Sequence, residues 1–151
     1  MNIRPAIPAD APRMLEMGYQ QFCESGWNKR EESCVFDPPS FLEYLEQLDR
    51  TGLMLVADTG DRVVGMYGGS ISPLMCDRNV LLFLGTFWYC EPEFRKEAGL
   101  PLLAAAEKAA KARGVRFNVV SIDDGERSAA LNRLYQRAGY GPAEQVYMKG
   151  L

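Results

Sequence analysis

A chain of 151 residues, 47% hydrophobic and 25% charged, has the size and balance of one globular domain with one core spanning residues 1–151. A net charge of −3 without a basic stripe argues against a nucleic-acid surface, and the longest apolar run, "NVLLFLGTFWYC", is too short to span a bilayer. With no histidine there is no Ser-His-Asp triad, no Cys-His pair and no histidine metal ligand, so any proton transfer falls to carboxylate, tyrosine, lysine, cysteine or water.

In chain order, "MNIRPAI" reads as a first strand. Asp10 stands where it can cap a helix running to about Cys23, with Pro12 in the first turn and Met14, Leu15, Gly18 and Phe22 on one face. "ESGWNKREESCVF" has no period and reads as a loop carrying Trp27, an aromatic that suits either an acceptor pocket or a chance surface position. "DPPSFLEYLEQLDR" is a second helix, capped by Asp37, with the stripe Phe41, Tyr44, Leu45 and Leu48.

"LMLVADTGDRVVGMYGGSIS" is a hairpin turning at Thr59-Gly60-Asp61. After the turn or loop "PLMCDRN" comes a long buried strand, "VLLFLGTFWYC". A helix from about Glu97 ends at Gly114, and "VRFNVVSI" is a fifth strand. "DDGE" leads into a last helix ended by Gly139, and "AEQVYMKGL" reads as a closing strand. The early strands pair antiparallel, and the strand-helix-strand crossover makes a parallel pair, so the sheet is mixed and the fold is α/β (or α+β) with about four helices.

Cys23, Cys34, Cys76 and Cys90 form no CxxC pair, and "MNIRPAIPAD" has no signal-peptide core; both suit a reducing cytoplasm and no bound metal. Cys90 reads as a small buried hydrophobe and Trp88 as sheet packing.

Two stretches carry chemistry. In "FWYCEPEFRKEAGLPLL" a strand ends at Cys90 and a helix begins near Gly99, where free backbone N–H groups favour an anion. Arg95 and Lys96 add positive charge and Gly99 permits close approach, although an ordinary strand-to-helix connection has a similar composition. In "LNRLYQRAGY", Leu131, Leu134 and Ala138 share a helical face with Tyr135 beside them. The phenol either packs with its oxygen led to water or faces a ligand and gives it a proton.

Together these stretches, "CEPEFRKEAGLPLL" with "AAAEKAAKARGV" and "SAALNRLYQRAGY", with "VYMKGL" at the end, resemble the GCN5-related N-acetyltransferase (GNAT) superfamily over essentially the whole chain. The resemblance implies a sheet whose fourth and fifth strands splay around the pantetheine arm of acetyl-CoA. It implies that the backbone at Trp88, Tyr89 and Cys90 binds that arm and meets the thioester oxygen. By the same resemblance Arg95, Lys96, Glu97, Ala98, Gly99 and Leu100 hold the pyrophosphate, Ser128 hydrogen-bonds the coenzyme, and Tyr135 protonates the leaving thiolate. Glu91 is the candidate base, with Asp123, Asp124 or a water chain as alternatives. The implied activity is acetyl transfer to a primary amine of a small molecule or protein, by direct attack, in a chain that is a possible homodimer through its closing strand. Glu97 replaces the middle glycine of the family's pyrophosphate loop and Phe94 falls where Gln or Arg is expected, while Ser128 and Leu131 replace asparagine and alanine. The imperfect loop favours the alternative of a non-catalytic module of the same fold, binding acyl-CoA or serving regulation.

Overall fold

The computed structural model describes residues 1–30, 34–123 and 127–149. Five strands form one sheet in the order β1 (Asn2–Pro5), β2 (Gly52–Asp58), β3 (Val63–Leu74), β4 (Asp77–Cys90) and β5 (Val115–Val120). The first four pair antiparallel and β5 joins β4 in parallel. Helices α1 (Ala11–Glu24), α2 (Pro38–Thr51), α3 (Arg95–Ala112) and α4 (Ser128–Arg137) cover the sheet.

The sheet is buried on both faces. Met14 and Met17 of α1 and Leu45 and Leu48 of α2 pack with Val56, Met66, Phe87 and Tyr89 on one face. Leu102, Leu103 and Ala106 of α3 and Tyr135 of α4 pack with Leu55, Tyr67 and Phe83 on the other. Burial on both sides is why β2 and β3 are near-continuous apolar runs rather than alternating ones.

Local signals set most boundaries. The Asp37 carboxylate accepts from the Ser40 N–H at 3.0 Å and caps α2. Gly114 and Gly139 follow α3 and α4 in the left-handed region, at φ of 81° and 91°. Asp10 differs from expectation. It precedes α1 in helical geometry, but its carboxylate accepts from the Ile7 N–H at 2.8 Å and from Arg4 at 2.7 Å and 3.0 Å. It therefore ties β1 to the following turn rather than capping the helix.

Two further expectations need correction. The helix does not begin near Gly99: a 3-10 turn at Pro92–Phe94 runs directly into α3 at Arg95. Gly99 is one turn inside, so the N–H groups without an intrahelical partner belong to residues 95–97. The closing strand "AEQVYMKGL" is also absent from the sheet. Residues 140–149 form no strand, and Val146 and Tyr147 are almost fully exposed. Val146, Tyr147 and Met148 bury little apolar surface, so little offsets the entropy cost of ordering this segment along the open edge of β5; residues 150–151 lie outside the described residues. Among the described residues no helix is long and apolar enough to cross a membrane, and no group of three acidic, cysteine or histidine side chains is placed to hold a metal.

Candidate active site in the fork between β4 and β5

Along β4, residues 81–85 pair with β5, the last match being Gly85 with Val120. Beyond Gly85 the two strands part. β4 continues to Cys90, still paired with β3, while β5 ends. The fork coincides with a bulge: Gly68 faces Phe87 and Gly69 faces Gly85, leaving Thr86 without a partner. Bulges re-aim backbone groups in this way, often beside active sites. The Thr86 hydroxyl is held on the α2 side, accepting from Tyr44 Oη at 2.5 Å and lying 3.3 Å from the Gly68 carbonyl.

A cavity of about 170 Å³ fills the fork. That is room for on the order of ten waters. Residues 85–90 of β4 form one wall and Ser121 and Asp123, just past β5, the other. Tyr67 closes the inner end, Tyr135 and Ser128 of α4 line one side, and Gln21, Glu24 and Ser25 from the end of α1 lie at the mouth with Arg95 and Arg127.

The structure thus brings Trp88, Tyr89, Cys90, Arg95, Gly99, Ser128 and Tyr135 to one cleft. Tyr135 is 6% exposed, its ring 5.7 Å from that of Trp88 and 5.4 Å from that of Tyr140. Burial, then the neighbouring Tyr67 and Asp123, pushes its phenol well above the ordinary tyrosine value, so it stays protonated. Burial likewise pushes the Cys90 thiol to about 11, against Arg95 and Arg127, which disfavours a thiolate nucleophile.

The remaining residues lie elsewhere. Ala98 is buried in the core beneath α3. Lys96, Glu97 and Leu100 are exposed on the helix, so the Glu97 carboxylate faces water. Glu91 is not in the cleft. Its carboxylate is gripped by Arg13 of α1 and by Arg62, at 2.8 Å, in a separate groove. A carboxylate between two guanidiniums is a poor proton acceptor. Trp27 lies outside the cleft, with the Arg30 guanidinium 4.3 Å from its ring centroid. Asp124 falls outside the described residues, whereas Asp123 faces the cleft, its carboxyl raised by desolvation against the opposing pull of Arg30.

Sequence reasoning missed Glu24, Tyr67 and the Thr86 bulge. The Glu24 carboxylate accepts from Arg95 and lies 3.6 Å from Arg127, so it offsets one of the two positive charges there. Arg95 also donates from Nε to the Cys90 carbonyl at 3.0 Å, fixing the strand end to the helix start. The one sequence signal for Tyr67 was its neighbourhood, "GMYGGS", where glycines permit close approach of other groups.

No family model and no curated protein matches the sequence. Solved structures do match over nearly whole chains. A transcriptional regulator from Bacillus halodurans C-125 is 19% identical, with a TM-score of 0.78 and 99% of each chain covered. A predicted acetyltransferase with acetyl-CoA from Clostridium acetobutylicum is 14% identical, with a TM-score of 0.76, covering 99% of this chain and 95% of that one. The fold is that of the GNAT superfamily. The aminoglycoside 6'-N-acetyltransferase AAC(6')-IG from Acinetobacter haemolyticus shares it at 19% identity and a TM-score of 0.72, covering 100% of this chain and 98% of that one. In this chain the parallel β4–β5 pair parts at Gly85, and the bulge at Thr86 and the start of α3 both border the opening that results.

Proposed function

We propose that the chain is an acetyltransferase that moves an acetyl group from acetyl-CoA to a primary amine of a small molecule or a protein. One observation carries this reading: the β4 edge loses its β5 partner beside the first turn of α3, and a protonated buried phenol lines the gap. The N–H groups of residues 95–97, with Arg95 and Arg127, suit the diphosphate. The unpaired edge at residues 86–90 suits an extended amide-bearing arm, which replaces the missing strand. Backbone N–H groups at the Thr86 bulge are the donors for the carbonyl oxygen as it becomes an oxyanion.

The amine nitrogen attacks the thioester carbon, the carbon–sulfur bond breaks, and the sulfur takes a proton from Tyr135. The proton lost by the amine goes to Asp123, directly or through water, while Glu91 serves as a brace between α1 and the end of β4.

The test has two stages. Acetyl-CoA should raise the melting temperature, because a ligand bound only to the native state stabilises it. An amine panel should then release free thiol. The second reading is a non-catalytic acyl-CoA-binding or regulatory module. It draws support from the Trp88 indole, which lies between Tyr67 and Tyr135 inside the cleft, and from the regulator that shares the fold. Stabilisation by acetyl-CoA without thiol release from any amine would favour it.

A further inference from the structure

The bulge at Thr86 decides which side chains of β4 meet the cleft. Side chains along a strand point to alternate faces, and Phe83 packs on the α3 and α4 side. Without the extra residue, Phe87 and Tyr89 would face the same way. Instead those two pack with α1 and α2, whereas Trp88 and Cys90 face α3 and α4 and line the cleft. A shift of one residue turns over every side chain beyond it, so the open half of β4 takes its orientation from this one position.

β3 makes room for the bulge and α2 holds it. A Cβ on Gly69 would collide with the Leu84 carbonyl oxygen, and one on Gly68 with the Phe87 ring, so glycine at both positions lets β4 approach this closely. The extra residue is then tied down by its side chain. Tyr44 Oη donates to Thr86 Oγ1 at 2.5 Å, and that hydroxyl donates to the Gly68 carbonyl at 3.3 Å. The Tyr44 ring also meets Phe87 edge-on, with 6.4 Å between centroids, so both bulge residues lean on one α2 side chain. Thr86 is exposed and Tyr44 half-buried, and hydrogen bonds this open to water add little stability. Valine and phenylalanine would fill the same space. What the two hydroxyls add is a fixed direction for the backbone that carries them.

We propose that Tyr44 and the Thr86 side chain are positioning residues, whose hydroxyl chain to Gly68 holds the bulge so that its backbone N–H groups meet the thioester carbonyl as it becomes an oxyanion. The proposal rests on the acetyl-CoA reading above. Neither hydroxyl touches the reacting atoms. Donors to an oxyanion act only where the charge develops, and a displacement of about 1 Å costs up to about a hundredfold in rate.

The experiment compares Tyr44→Phe, Thr86→Val and Thr86→Ser with the wild type by thiol release with a fixed amine, calorimetric titration with acetyl-CoA, and melting temperature. In Tyr44→Phe and in Thr86→Val, kcat should fall roughly tenfold while the Kd for acetyl-CoA stays within about twofold. Thr86→Ser, which restores the hydroxyl, should recover kcat to within about threefold of the wild type. The double variant Tyr44→Phe with Thr86→Val should be no slower than Thr86→Val alone, because one chain is broken once. Unchanged kcat in both single variants, or a Thr86→Ser as slow as Thr86→Val, overturns the proposal and leaves the acetyl-CoA reading intact. Equal losses in kcat and in acetyl-CoA affinity, tracking a lower melting temperature, show a merely structural contact and also overturn it. If Thr86→Val does not fold, Tyr44→Phe decides by the same kcat and Kd. Wild-type protein that releases no thiol with any amine overturns the proposal and the acetyl-transfer reading together.

Discussion

The two halves of β4 make an instructive pair. At residues 81–85 the strand has a neighbour on each side, and Phe83 is fully buried. At residues 86–90 it has β3 on one side and a cavity on the other. The same strand, continuous in chain and direction, is first a central strand and then an edge. Native proteins rarely leave an edge open inside the fold, because unpaired N–H and C=O groups there recruit another strand or a ligand. The difference between the halves therefore marks the place where something extended is expected to bind.

The comparison can be broken at its open half first. Tyr135→Phe keeps the packing against Trp88 and Tyr140 but removes the proton, so thiol release should slow by about a hundredfold, with acetyl-CoA binding little changed. Steady-state kinetics with a fixed amine decide this, and an unaltered kcat would remove Tyr135 from the acid role. The apex comes next. Gly85→Ala drives a methyl into the Tyr67 hydroxyl where the halves meet, and should cost about 1–3 kcal/mol in denaturant unfolding.

A subtler pair of variants separates the two carboxylates. Glu91→Gln strands Arg13 and Arg62 and should lower stability by about 1 kcal/mol while leaving the shape of the pH–rate profile unchanged. Asp123→Asn should slow the reaction and flatten the acidic limb of that profile, which in the wild type rises with pH through a value above the ordinary aspartate pKa of about 3.9. The sign for stability runs the other way. The fold penalises the ionised Asp123, so the asparagine variant should melt slightly higher at neutral pH than the wild type. The smallest effect belongs to Glu24→Gln, which releases Arg95 and Arg127 and should tighten CoA binding by no more than about fivefold.

Where the determinant was local, the sequence carried it. Asp37 before "PPS", the Thr59-Gly60-Asp61 turn, and Gly114 and Gly139 act within a few residues of themselves, and each appears where its chemistry puts it. The position of Tyr135 in the cleft was legible because the segment around it resembles a family motif. Glu91 was not, since its partners Arg13 and Arg62 stand 78 and 29 residues away and reach it only through the fold. The Thr86 bulge was invisible for a similar reason: it is a register shift against β3, a relation between two strands. Tyr67 reads as an ordinary core aromatic until Gly85 on the neighbouring strand is seen to make room for its oxygen. The closing segment shows the reverse case: Val146, Tyr147 and Met148 suit a strand locally, yet they stay exposed and leave the outer edge of β5 unpaired among the described residues.

Hydrogen exchange of backbone amides, with and without acetyl-CoA, tests the central claim most directly, because it reads the two halves of β4 separately. The account predicts that cleft-facing amides in residues 86–90 become strongly protected on binding, together with those of residues 95–97, while residues 81–85 exchange as before. Binding with no gain of protection in residues 86–90 would contradict it, because the coenzyme would then lie somewhere other than the fork.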